Sequence, residues 1–72
     1  MPSEKRLARR AVLDESGLER ARVMHPWIFR GNLRHIPECA QGDMIAFTDR
    51  AGVIKGWGLW SDSALSIRVL TY

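Results

Sequence analysis

Hydrophobic and polar residues alternate along most of the chain beyond residue 26. A period of two is typical of β-strands that bury one face. Gly, Pro, Asp and Ser separate the alternating segments, as expected of turns. The pattern therefore predicts short strands over residues 10–13, 27–34, 44–48, 53–60 and 65–70.

The segment 27–34 has the clearest alternation and places cationic side chains on one predicted face. The residues predicted to face the core are Trp27, Phe29, Gly31 and Leu33. The residues predicted to face solvent are Ile28, Arg30, Asn32 and Arg34. The polar face has two interpretations: it is either simply solvated, or it is a surface for an anionic partner.

A short helix is predicted over residues 17–23, directly ahead of this segment. Ser16 and Glu19 have the spacing of a capping box, in which each side chain satisfies a free backbone N–H at a helix start. Pro26 cannot continue a helix and biases His25 toward an extended backbone. We therefore expect the helix to end before the alternating segment begins.

Glycines mark the bends of the predicted sheet. Gly52 lies in a hairpin connection over residues 49–52, where a positive φ is useful. Gly56 and Gly58 interrupt the strand 53–60, which indicates a close backbone approach or a tight curl. The indoles at 57 and 60 fall on opposite faces, so one of them should be partly exposed. The expected fold class is mainly β: a small barrel or sandwich with one short helix.

The chain has 72 residues, of which 46% are hydrophobic, and this suits one small domain with a modest core. Residues 1–9 are expected to form a flexible basic leader and residues 10–72 the folded domain. No apolar run approaches the roughly 20 residues that span a bilayer, so no membrane partner is expected. Cys39 is the only cysteine, and the absence of an internal disulfide favours a reduced, cytoplasmic setting.

Candidate catalytic chemistry is sparse. Cys39, His25 and His35 are too few and too irregularly spaced for a structural zinc site. The carboxylates of the second half are scattered among predicted turns, where aspartate usually bonds the local backbone. No convergent catalytic set is visible, which disfavours an independent enzyme. We predict no catalytic residue, no metal and no cofactor within this chain.

The net charge of +3 is unevenly distributed. Residues 1–34 hold eight Lys or Arg against four acids, whereas residues 35–72 hold three against four. This asymmetry favours a polyanionic partner. The residues predicted to contact a nucleic acid are Arg20, Arg22, His25, Arg30, Asn32 and Arg34. In this prediction the cations hold phosphates and the amide reaches a sugar or base edge.

Several stretches together resemble one known family. They are "HPWIFRGNL" at 25–33, "GD" at 42–43, "IKGWGLW" at 54–60 and "SALSIRVL" at 63–70. The combination resembles the N-terminal PUA domain of the S-adenosylmethionine-dependent class I 23S rRNA (cytosine-5) methyltransferases, over about residues 10–72. Arg30 departs from the family pattern, which commonly has a small residue there, and the segment between Gly58 and Ser63 is one residue shorter.

The resemblance implies a PUA-like small pseudo-barrel that binds structured, ribosomal RNA with its helix and the following strand. It also implies an attached methyltransferase domain, outside these residues, that would bind the S-adenosylmethionine. The chain would then be either a separate N-terminal domain or a stand-alone module. The alternative function is a structural barrel that contacts the catalytic domain without binding RNA; an exposed patch around Trp57 or Trp60 would favour it.

Overall fold

The computed structural model describes residues 10–72, which form a curled, mostly antiparallel six-stranded sheet with one α-helix. The predicted leader, residues 1–9, lies outside the described residues. The elements in chain order are β1 Arg10–Leu13, α1 Glu15–Arg22, β2 Trp27–Phe29, a 3₁₀ turn Arg30–Asn32, β3 Leu33–His35, β4 Met44–Thr48, β5 Ile54–Trp60 and β6 Leu65–Thr71. The sheet order is β2-β6-β5-β4-β1-β3, and the predicted mainly β, PUA-like fold class is confirmed.

Four of the predicted strands are confirmed, with ends that agree to within one residue. The β4–β5 hairpin turns through residues 49–52 as expected, with Gly52 at a φ of +88°. Asp49 Oδ1 accepts hydrogen bonds from the N–H groups of Ala51 and Val53, each at 2.9 Å. This carboxylate therefore has the backbone-bonding role expected of an aspartate in a turn.

The segment 27–34 is not one strand, and that prediction is wrong. β2 ends at Phe29, three residues form the 3₁₀ turn, and β3 starts at Leu33. The predicted faces are also wrong here, because Ile28 is fully buried whereas Trp27 is 48% exposed. The cause is local: Asn32 Oδ1 accepts the N–H of Phe29 at 2.9 Å, and this side-chain bond replaces strand geometry with a turn.

The 3₁₀ turn forces the sheet to curl. β2 and β3 are the two edges of the sheet, yet only three residues separate them along the chain. Four Cα–Cα steps span at most about 14 Å, whereas six flat strands would be about 24 Å wide. The backbone of the turn is hydrogen-bonded to the loop before β6 and to the residue before α1. Arg30 N–H donates to Ala64 O, and Asn32 O accepts from Asp14 N–H, both at 2.9 Å. The result is a half-barrel.

Helix α1 starts two residues earlier than predicted, and the capping-box interpretation is wrong. Asp14 is the N-cap, and its Oδ1 accepts from Gly17 N–H at 2.8 Å and from the Ser16 hydroxyl at 2.6 Å. The helix ends at Arg22, before Pro26 as expected. Helix α1 lies directly against the turn at Gly17, which is buried. The approach is so close that a Cβ at this position would overlap the carbonyl oxygen of Asn32.

The core fills the concave side of the sheet under α1. Its buried members are Ala11, Leu13, Ile28, Ile45, Phe47, Trp60 and Ile67. Gly56 and Gly58 are buried in β5, where an added Cβ would overlap the ring of Phe47 and the backbone of β6, respectively. The expected close approach at both glycines is confirmed, and it allows β5 to curve around the core.

We expect Gly58→Ala to lower the free energy of unfolding by about 2 kcal/mol, because the new methyl group must displace the backbone at Arg68 and the side chain of Ile67. Urea unfolding would measure the loss. Gly31→Ala is the matched control, since a Cβ at Gly31 meets nothing within 4 Å. Equal stability of the two variants would contradict this account of the curl.

Asp14 predicts a pH dependence of stability. The Ser16 hydroxyl and the Gly17 N–H lower the pKa of Asp14 below its ordinary value of 3.8, outweighing its partial burial. A lowered folded pKa stabilises the fold above the unfolded pKa, and this contribution disappears as the pH falls through the folded pKa. We expect Asp14→Ala to cost about 1 kcal/mol near neutrality, with the difference from wild type shrinking in acid.

Urea unfolding between about pH 7 and about pH 2.5 would test this. Asp14→Asn is the matched control, because its amide oxygen still caps the helix but does not titrate. A cost of Asp14→Ala that stays constant across the acid range would show that the charge of the carboxylate is not involved.

Candidate nucleic-acid interface

The predicted RNA-contact residues surround α1 and the 3₁₀ turn, but they do not form one face. Of these residues, Arg20 and Arg30 are the two whose guanidinium groups lie over aromatic rings of the fold. The guanidinium carbon of Arg20 lies 4.9 Å from the ring centroid of Phe29, and that of Arg30 lies 5.9 Å from the ring of Trp60. Neither guanidinium forms an ion pair with another residue of the described chain.

Arg22 lies on the far side of α1. It pairs with Glu19, one turn earlier on the same exposed helix surface, with Nη2 and Oε1 3.0 Å apart. This contact lowers the pKa of Glu19 and raises that of Arg22. Exposed pairs of this kind are weak, so the guanidinium remains available to a phosphate. Arg22 also lines an open groove of about 360 Å³ together with Lys55 and Tyr72.

Arg34 lies on the opposite side of α1, near the start of the helix. It lines a groove of about 340 Å³ with Arg50 and with the carboxylates of Asp14 and Glu15. Its charge helps to lower the pKa of Asp14. Because two carboxylates share this groove, it is less favourable for a polyanion than the surface around Arg20 and Arg30. The predicted straight line from Arg30 to Arg34 along one strand does not exist, since the turn separates them.

His25 ties the start of β2 to the end of the chain. Its Nδ1 accepts the N–H of Trp27 at 3.1 Å, which leaves Nε2 as the protonated nitrogen of the neutral ring. Its carbonyl oxygen accepts the hydroxyl of Tyr72, whose ring also packs edge-on against Phe47. Burial raises the pKa of the Tyr72 phenol. His25 is half-buried. Since its Nδ1 is already used and Nε2 forms no hydrogen bond with residues 10–72, Nε2 is the ring nitrogen that remains to donate to a ligand.

Asn32 does not face solvent, and the prediction that it does is wrong. Asn32 is only 9% exposed, and both polar atoms of its side-chain amide are hydrogen-bonded. Oδ1 accepts from Phe29 N–H, and Nδ2 donates to Ser16 Oγ at 2.9 Å. The amide therefore joins β2, the turn and α1. Its contribution to the surface is indirect, because it holds the turn on which Arg30 is mounted.

The opposite, convex side of the sheet carries exposed residues that the sequence analysis did not assign to a site. Trp27 was predicted to lie in the core and is instead 48% exposed. Trp57 is 38% exposed while Trp60 is buried, which confirms that the two indoles lie on opposite faces. Arg68 is exposed on β6, opposite Trp27 in register. The alternation of β6 indicates this position, because Arg68 lies between inward-facing Ile67 and Val69.

Within residues 10–72, no three His, Cys, Asp or Glu side chains are arranged to hold a metal ion. No helix in the same part of the chain is long and apolar enough to cross a membrane.

The family described as "PUA-like domain" matches this chain over residues 11–72. The chain belongs to the PUA-like domain family. The curled sheet with one helix is the small-barrel fold consistent with that family, and PUA-like domains commonly bind RNA. Comparison with curated proteins finds no relative that matches the chain. The PUA part of the sequence resemblance is thereby confirmed.

We expect Asn32→Ala to lower the free energy of unfolding by about 2 kcal/mol, because it removes two hydrogen bonds and leaves the Phe29 N–H without its acceptor. Urea unfolding would give the loss, and hydrogen exchange would report opening of the turn at the Phe29 amide. Gln41→Ala is a control at an exposed side chain that also bonds a backbone N–H. A loss no larger than that of Gln41→Ala would show that Asn32 does not hold the turn.

Proposed function

We propose that this PUA-like domain binds structured RNA, and that it docks ribosomal RNA for an attached S-adenosylmethionine-dependent methyltransferase in the cytoplasm. The proposed phosphate contacts are Arg20 and Arg30 first, with Arg22, His25 and Arg34 at the margins. The observation that carries the proposal is that Arg20 and Arg30 rest on aromatic rings without a carboxylate partner among residues 10–72.

An arginine held on a ring suits phosphate binding for two reasons. The guanidinium keeps its planar set of N–H donors, which match the paired oxygens of a phosphate. Its side chain is also already partly ordered, so less conformational entropy is lost on binding. The backbone of Arg30 is fixed as well, through its bond to Ala64 and the internal bonds of Asn32.

The surface around α1 also has the right overall charge. Arg20 and Arg22 occupy the last turn of the helix, and the acids of α1 are near its start or paired on its exposed side. A few phosphate contacts give modest affinity that falls steeply with salt. This strength suits a module that positions an RNA for another domain.

The methyltransferase part of the proposal is supported by sequence resemblance alone. The segments at 25–33, 54–60 and 63–70 resemble the PUA domain that precedes the catalytic domain in the rRNA cytosine-5 methyltransferases. In such a protein the S-adenosylmethionine would be bound by the catalytic domain, and the described residues would contribute RNA positioning only.

A second candidate function is favoured by a different observation. Met44, Leu59 and Leu70 are all exposed on the convex side of the sheet, together with Trp57. Exposed apolar surface of this kind is typical of protein contacts. The barrel would then contact an attached catalytic domain and would not itself bind RNA.

We expect the chain to bind a labelled hairpin from large-subunit ribosomal RNA, measured by fluorescence anisotropy at several salt concentrations. The double variant Arg20→Gln, Arg30→Gln should weaken binding at least about tenfold at low salt and reduce the slope of log affinity against log salt by about two, one for each lost phosphate contact.

Arg50→Gln is the matched control, because it removes one exposed arginine away from the rings that hold Arg20 and Arg30. Arg50 shares the groove of Arg34, which the carboxylates of Asp14 and Glu15 make less favourable for a polyanion. It should leave the affinity within about twofold and the salt slope nearly unchanged. No salt-sensitive binding by the wild type would support the docking alternative. A double variant with the wild-type slope would place the RNA elsewhere on the domain.

A further inference from the structure

The convex side of the sheet presents a continuous row of exposed side chains across four strands. We call this the outer face, and its members are Trp27, Met44, Trp57, Leu59, Arg68 and Leu70. Three register pairs define the row: Trp27 with Arg68, Arg68 with Leu59, and Leu59 with Met44. Directly opposed residues have Cβ atoms about 5 Å apart, so Arg68 lies between Trp27 and Leu59 as an immediate neighbour of both.

Arg68 is the one charged member of the outer face, and its charge is positive. None of the six strands contains Asp or Glu. The carboxylates of residues 10–72 all lie in α1 or in connecting segments. Arg68 forms no side-chain hydrogen bond or ion pair with any residue of the described range. An unpaired guanidinium beside an exposed indole favours an anionic, flat ligand.

Trp27 joins the outer face to the surface proposed for RNA. It lies on the edge strand β2, with its ring centroid 6.1 Å from that of His25. Two residues further along β2, the guanidinium of Arg20 lies over the ring of Phe29. A strand of RNA that leaves Arg20 and His25 therefore meets the exposed indole of Trp27 first and the guanidinium of Arg68 next.

We propose that the outer face binds an unpaired nucleotide that flanks the structured RNA, with its base stacked on Trp27 and its phosphate held by Arg68. This inference rests on the proposed RNA binding at Arg20 and Arg30 and extends it by a single-stranded subsite. Proteins read unpaired nucleotides by stacking them on exposed aromatic rings next to cations, whereas paired bases are not available for such contacts.

The charge of the outer face disfavours a second copy of this chain as the occupant. A two-fold contact would bring Arg68 of one chain toward that of the other, and the strands offer no carboxylate to neutralise either. A different protein with a complementary carboxylate suits the apolar members of the face, and the experiment below distinguishes that occupant from RNA.

The test compares two RNAs that differ only in a short uridine tail added to the hairpin, in versions with the tail at the 5′ or the 3′ end. For wild type we expect one tailed version to bind roughly tenfold tighter than the blunt hairpin and to quench tryptophan fluorescence. Trp27→Ala and Arg68→Gln should lose this gain while keeping the affinity for the blunt hairpin. Trp27→Phe should retain part of it, because the ring still stacks.

Arg50→Gln is again the control and should keep the full gain, since it removes the same charge away from the outer face. If the blunt hairpin binds and neither tail adds affinity, the single-stranded subsite is refuted while the proposed function stands. If the gain persists in Trp27→Ala, the inference is also refuted. Unchanged RNA affinities in all outer-face variants would refute RNA contact at this face and favour the protein contact instead. If neither RNA binds, both proposals fail.

Discussion

The fold depends on one short connection, the 3₁₀ turn that carries the chain from one edge of the sheet to the other. Three residues link β2 to β3, and the sheet can accommodate so short a link only by curling. Asn32 holds that link through both ends of its amide and through its backbone carbonyl, which accepts from Asp14. The glycines of β5 then allow the curl that the turn imposes.

The same connection determines where the cations lie. Gly17 brings α1 against the carbonyl of Asn32, and this contact fixes the helix that carries Arg20. The turn itself carries Arg30, whose backbone bonds to the loop before β6. Two guanidinium groups from different elements are thus mounted on one structural unit. The backbone fixes where the two side chains start, and the rings of Phe29 and Trp60 lie against their guanidinium groups.

Sequence alternation predicted the bounds of β4, β5 and β6 well because alternate residues of each strand, such as Ile45, Phe47, Trp60 and Ile67, pack on one core. The prediction failed at residues 27–34 because the side chain of Asn32 accepts a hydrogen bond from the Phe29 N–H, and this bond favours a turn over a continuous strand. Alternation of hydrophobic and polar residues contains no information about such bonds. The predicted helix cap was wrong for a similar reason. Ser16 has the spacing of a capping residue, but Asp14 is the N-cap, and the Ser16 hydroxyl donates to Asp14 and accepts from the Asn32 amide instead. Both errors lie where three elements meet, and only tertiary packing decides them.

The segment around His25 and Pro26, which belongs to the stretch that carries the family resemblance, shows how a motif can be structural and still shape a site. The carbonyl of Pro26 accepts the N–H of Val69, and that of His25 accepts the hydroxyl of Tyr72, so both tie β2 to the end of β6. These bonds leave the indole of Trp27 on the outside, next to Arg68. Trp27 is thus 48% exposed on an edge strand that is hydrogen-bonded to β6, with Arg68 and His25 beside it. Under the proposed RNA binding, stacking on an unpaired base would account for this exposure.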